Sequence, residues 1–245
     1  MDHRTPGGAC NRYKESDITI THSFLLRASA VAAAVAGLIF IGVQINHPSL
    51  DATSITTTDV MIRNSLKVLM AGLAIAGITG VYLCQVTRIG VLGLLGYVVF
   101  AAGYLTILGT EYVAAFVLPS IADTSTAYVN DVIGFANSRP VTGDIGAMQG
   151  AILFTGLSYL AGGFLFAIAL FRANVLARWA SALLAVGTLA TIATGIVPDH
   201  ARLLAIPTGL ALVGLGYSLW RLQSTSPAPP IVDPVSANLD PAVVR

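Results

Sequence analysis

Charge is the scarcest commodity in this sequence: 13 Lys+Arg and 12 Asp+Glu in 245 residues, with a formal net charge of +1. A soluble helical domain of this size carries charged faces every few residues, so a water-soluble enzyme is excluded. The absence of a basic stripe excludes a nucleic-acid binder. Two cysteines, Cys10 and Cys84, cannot build a disulfide scaffold, and both are expected to be reduced on a cytoplasmic side. The chain has no G-x-x-x-x-G-K-[ST], H-E-x-x-H or C-x-x-C motif, and Gly214-Leu215-Gly216 lacks the third glycine and the strand context of a dinucleotide fold. No Asn-x-Ser/Thr glycosylation acceptor occurs. No cofactor, metal or catalytic constellation is therefore expected.

What is present is apolar length. Hydrophobic residues make up 55% of the chain, and six windows contain no charge: residues 28–50, 68–87, 89–110, 145–171, 179–198 and 203–220. About 20 apolar residues at 1.5 Å each cover a hydrocarbon core of about 30 Å. The expected fold is an all-α polytopic membrane protein, a bundle of six transmembrane helices. Spans are expected at about 24–46, 65–87, 89–118, 147–171, 179–198 and 201–220. Tails at 1–23 and 222–245, rich in Gly, Pro and charge, are expected to be disordered.

The charges orient the bundle. With the N-terminus inside, Arg4, Arg12, Lys14, Arg27, Arg88, Arg172, Arg178, Arg221 and Arg245 fall on the cytoplasmic side, and only Arg63, Lys67, Arg139 and Arg202 outside. Asp51, Asp59, Glu111, Asp123, Asp131, Asp144 and Asp199 fall outside, while Trp179 and Trp220 land at the inner interface. The expected topology has both termini cytoplasmic in the cell membrane. In the first span Ala32-Ala33-Ala34 precedes Leu38-Ile39-Phe40-Ile41, the reverse of a cleavage signal, so it reads as an uncleaved anchor.

Helix contacts in lipid favour small residues. Gly72, Ala76, Gly80 and Cys84 recur every four residues on span two, and Gly187, Thr191 and Gly195 do so on span five. Such ladders pack within one chain, form a homodimer seam or line a ligand path. Pro207 is expected to kink a sixth helix capped by Asp199, with Thr208 helping to satisfy the freed backbone. Between spans three and four, Tyr128, Val129, Val132, Ile133 and Ala136 follow helical spacing, with Asp123, Thr124 or Ser125 available as N-cap. This outer helix, with residues 49–62, forms a thin cap that acts either as a lid over a vestibule or as interfacial packing.

Ionisable groups deep in hydrocarbon are costly and mark function. Measured from the cytoplasmic arginines at 1.5 Å per residue, Lys67, Asp199 and His47 lie about 30 to 32 Å away, near the outer boundary. Glu111 lies at about 35 Å but precedes another apolar stretch, so burying that stretch would pull it inward. Tyr97, Tyr104 and Glu111 recur every seven residues, on one side of span three. They lead a polar ligand or a proton inward, or else Glu111 pairs with Lys67, Arg63 or Arg202 while the tyrosines bond between helices. The candidate ligand-binding set is thus Glu111, Tyr104, Tyr97, Lys67, His47, Asp199 and His200. His47, Glu111, Asp199 and His200 could in principle ligate zinc, but no H-x-x-x-H spacing supports it. A rhomboid-like pairing of Ser158 with His200 fails, because Ser158 lies about 21 Å deep and His200 at the surface.

From residue 89 to 221 the chain resembles a largely uncharacterised group of six-helix integral membrane proteins common in actinobacteria. The resemblance rests on Leu92-Gly93-Leu94-Leu95-Gly96-Tyr97, Phe116-Val117-Leu118-Pro119, Phe171-Arg172, Val175-Leu176-Ala177-Arg178-Trp179 and Gly214-Leu215-Gly216-Tyr217-Ser218-Leu219-Trp220-Arg221. Ala177 departs from the Pro usual there. These motifs are helix ends, so they imply topology and carry over no catalytic residue. The expected function is a non-enzymatic binding, sensor or accessory component. Its expected partners are the bilayer and a lipid, lipophile or membrane protein, a second copy included. The alternatives are a permease for a small neutral or lipophilic solute, and an enzyme working at the outer interface through Glu111 and His200.

Overall fold

The computed structural model describes residues 21–192 and 203–225, and among these every regular element is helical. Residues 1–20 and 226–245 of the expected tails, with Gly195, Asp199 and His200, lie outside the described residues; residues 22–23 and 222–225 are helical.

Helix α1 spans His22–Gly42, and Thr21 caps it by accepting from the Phe24 N–H at 3.2 Å. A single 3-10 turn, Ser54–Thr56, leads into α2, Thr58–Leu83, whose first turn carries Asp59 where the helix dipole favours an acid. Asp59 also pairs with Arg63 one turn on at 2.9 Å. Helix α3, Val86–Tyr112, follows after a tight turn; Gly90 interrupts it with φ 65° and ψ −171°, a conformation that a side chain would strain. It continues through a π-helical segment, Val113–Val117, into the short α4, Leu118–Ile121. Helix α5 spans Thr126–Ala136, α6 Ala147–Ala173, α7 Arg178–Ala190 and α8 Ile206–Thr225.

Among the described residues four helical runs are long and apolar enough to cross a membrane: α1, α2, the continuous run Val86–Ile121, and α6. Helix α7 is described over 13 residues, about 20 Å. Several boundaries differ from those read in the sequence. Helix α2 begins at Thr58 rather than residue 65, because its polar first two turns belong to the cap. The third run does not stop before Pro119. The wider π turn ahead of it lets the proline occupy the first turn of α4, where its missing N–H costs least.

Pro207 stands in the first turn of α8, which starts at Ile206 directly after a 3-10 turn, Leu203–Ala205, and runs on to Thr225 into the expected tail. The expected cap, Asp199, lies outside the described residues. The Thr208 Oγ1 is buried and bonds to no described backbone carbonyl.

The bundle is joined at small residues. Helices α3 and α6 approach so closely that a Cβ added at Gly103 would lie 3.0 Å from the Tyr159 backbone nitrogen, and Gly96 and Gly162 abut the backbones of Phe166 and Phe100. Helix α1 meets α2 where a Cβ on Gly77 would lie 2.6 Å from the Ala33 Cα. Gly80 sits on that same seam against Ser29, whereas Gly72 has only ordinary contact and Ala76 is exposed. Gly187 faces Thr208, placing its part of the span-five ladder inside the chain between α7 and α8.

Two apolar clusters result. The larger runs through the bundle; the smaller joins Ile55, Val60, Leu118, Val129, Val132 and Ile133 at one end, called here the cap end. The expected cap helix is α5, preceded by Ser125 as N-cap without a side-chain bond. Its apolar face is buried against protein.

Candidate functional site

The cap is stitched across sequence-distant segments. The Ala52 N–H donates to Asn130 Oδ1 at 2.8 Å, and Arg139 donates to the Leu50 carbonyl at 2.7 Å. Asp131 accepts from the backbone N–H groups of Thr142 and Gly143, which fixes the loop after α5. In the loop after α1, Asp51 Oδ1 accepts from the N–H groups of Thr53 and Ser54. The Ser54 bond is the main reason that the Asp51 carboxyl is held below its usual range.

Under this cap lies a cavity of about 250 Å³. Its apolar wall includes Ile107, Leu118 and Ile152, and Val132 and Ile133 of α5 form part of the lining. Lys67, Asn64, Thr110, Glu111 and Thr155 supply polar groups to the same lining. Lys67 Nζ is 3.4 Å from Glu111 Oε2, with side-chain exposures of 15% and 24%. It also donates to Asn64 Oδ1 at 3.2 Å, while Asn64 Nδ2 donates to the Ala114 carbonyl at 3.4 Å. Ala114 belongs to the π segment, so one buried amide links the ion pair to the irregular turn beside it. π turns frequently accompany functional sites, and this one directly follows the helix that carries Glu111.

Of the expected residues that are described, Lys67 and Glu111 alone meet in this cavity. Tyr97 lies elsewhere, its hydroxyl 2.9 Å from Thr79 Oγ1 and its ring stacked on Tyr82 at 4.7 Å. Tyr104 is fully buried between Phe100 and Tyr159, with ring centroids 4.9 and 5.7 Å away. His47 bonds to the Pro48 carbonyl at 2.9 Å in the loop after α1. Seven-residue recurrence therefore places two tyrosines and a glutamate in three different surroundings. No group of three His, Cys, Asp or Glu side chains converges among the described residues.

Sequence reasoning missed Asn64, Thr110 and Thr155. Asn64 had a signal: a polar amide one helical turn before Lys67, on the same face, within an otherwise apolar helix. Thr110 and Thr155 had none, because a threonine in an apolar helix commonly bonds to its own backbone. Both do so here, to the carbonyls of Thr106 and Ala151.

The fold and the site together define an all-helical protein with four helices able to cross a membrane and a capped, mostly apolar cavity holding one ion pair. No family model, curated protein or solved structure matches the chain.

Proposed function

We propose that this chain is a six-span protein of the cell membrane, with both termini cytoplasmic, whose capped outer cavity binds a small amphipathic lipid or lipophile. On this reading it is a non-enzymatic binding, sensor or accessory component. The observation that carries the proposal is the pairing of apolar walls with one concentrated polar point, Lys67–Glu111–Asn64, beneath a hydrogen-bonded roof. Mixed cavities of this type orient a ligand by a few polar groups and hold it by apolar contact. At about 250 Å³ the space falls slightly below the usual range of about 300–1,000 Å³ for small-molecule sites. It suits a small lipophile or a single polar headgroup rather than a whole phospholipid. The bias of basic residues toward one side of the spans supports the topology.

The permease alternative needs a path beyond this cavity. Phe100, Tyr104, Tyr159 and Phe166 pack ring against ring where α3 meets α6, and all four are buried. Transport would require this aromatic cluster to open, so binding is the simpler use of the geometry. The enzyme alternative relies on Glu111 acting with His200, which lies outside the described residues; Glu111 itself pairs with Lys67.

The test uses a cysteine at Thr155 in a C10S/C84S background. Its labelling by a small thiol reagent in native membranes should be slow, and should speed up after extraction with detergent and washing. Equal rates before and after delipidation contradict a resident lipophile.

A further inference from the structure

The opposite end of the bundle carries a second cavity, of about 330 Å³, between the start of α3 and the end of α6. Arg88 and Arg172 both line it, with Ile89, Gly90, Val91 and Leu92 completing the α3 side. Both arginines are exposed, and neither guanidinium forms a hydrogen bond or ion pair with a described residue. Two guanidiniums thus share one concavity with no acid in its lining.

Long-range contacts show that this is one common end. Arg27 of α1 donates to the Gln223 carbonyl of α8 at 3.1 Å, and the Ala177 N–H, at the α6–α7 turn, donates to Ser218 of α8 at 3.0 Å. Arg178 covers the Phe171 ring at 4.1 Å. Arg27, Arg88, Arg172, Arg178 and Arg221 therefore gather here. Every described carboxylate, Asp51, Asp59, Glu111, Asp123, Asp131 and Asp144, belongs to the cap end or its loops. The chain's described residues supply no counter-anion where the arginines converge.

We propose that this cavity binds the phosphate of an anionic phospholipid. Two guanidinium forks match the tetrahedral oxygens of a phosphate, and basic pockets between helices at a membrane surface take anionic headgroups. Gly90 breaks α3 at the cavity wall, so the helix restarts there and presents its amide end, which favours negative charge. A lipid rather than a free phosphate is favoured by what continues from the cavity. Val91, Leu95 and Val98 lie 74%, 54% and 52% exposed at helical spacing along α3, an apolar track for acyl chains.

Thermal stability of the detergent-solubilised full chain should be titrated with phosphatidylglycerol, phosphatidylcholine and inorganic phosphate. Phosphatidylglycerol is expected to stabilise at lower concentration than phosphatidylcholine. Arg88→Gln and Arg172→Gln should each weaken its apparent affinity about fivefold, while Arg63→Gln, a charge-matched change at the cap end, should leave it unchanged. Arg88→Lys with Arg172→Lys keeps the charge and should retain part of the effect, controlling for folding. Equal stabilisation by both lipids, or full phosphatidylglycerol binding by the double Gln variant, overturns the proposal. Full stabilisation by inorganic phosphate alone overturns the lipid as its source.

Discussion

Lys67 of α2 and Glu111 of α3 meet across two helices at 3.4 Å, and Asn64, one turn before the lysine, ties the pair to the π segment that follows the glutamate. Both side chains are mostly shielded, so each neutralises a charge that would otherwise be costly in an apolar cavity. Removing one partner should therefore harm more than removing both. Lys67→Met or Glu111→Gln alone is expected to cost about 3 kcal/mol, and the double variant less than the sum. A double-mutant cycle on thermal unfolding in detergent measures this. Additive losses would show that the two groups are solvated independently.

The α1–α2 seam makes a sharper packing prediction than a four-residue ladder would. Gly77→Leu forces a side chain into the Ala33 backbone and should abolish folded monomer on size-exclusion chromatography. Ala76→Leu, on an exposed face one residue away, should be tolerated. Similar behaviour of the two variants would mean that α2 is rotated from its described orientation.

The cap should loosen without unfolding the bundle. Asn130→Ala with Arg139→Ala removes two of its cross-links, to Ala52 and Leu50, and both residues are exposed. Labelling of the Thr155→Cys reporter should accelerate about tenfold, which corresponds to about 1.4 kcal/mol of lost closure. Thermal stability of the bundle should change little. An unchanged labelling rate would show that α5 does not control access.

Acid should affect the same reporter through Asp51. Its carboxyl is held below the usual 3.8, first by the Ser54 N–H, so the ionised form is favoured in the folded cap. A group with a depressed folded pKa contributes stability above its unfolded pKa and loses it as pH falls through the folded value. Labelling of Thr155→Cys, expressed relative to a free thiol at the same pH, should therefore be insensitive to this group from pH 7 to about 5 and rise only below about 4. Asp51→Asn should remove that contribution; an identical acid response in the variant would assign it to another group.

The apolar architecture was legible because charge gaps and helix length are governed by local composition. The gaps at residues 68–87 and 145–171 fall largely within α2 and α6. Helix ends were less legible where proline was involved. At both Pro119 and Pro207 the chain fits the ring into a first turn, using a π segment in one case and a later start in the other. Neither device has a sequence signature. For α5, helical spacing correctly pointed to Val129, Val132 and Ile133, because one buried face is a local periodic signal.

The site itself was only partly legible. Lys67 could be named among several partners of Glu111, since depth along a helix follows from residue count, but rotation about the helix axis does not. Tyr97 and Tyr104 share a side of α3 with Glu111 but lie about 21 and 10 Å from it along the axis, whereas the rotation of the neighbouring helices brings Asn64 and Thr155 to it. The cavity depends on α5 closing over three bundle helices, α2, α3 and α6, a long-range arrangement that no local pattern encodes.

The most direct measurement of the central claim is native mass spectrometry of the full chain released from its own membranes in lipid nanodiscs, comparing wild type with Lys67→Met/Glu111→Gln. The account predicts that wild type retains a bound small-molecule mass, which the folded double variant loses. Wild type carrying no such mass, or both proteins retaining it equally, would contradict a ligand held at the Lys67–Glu111 pair.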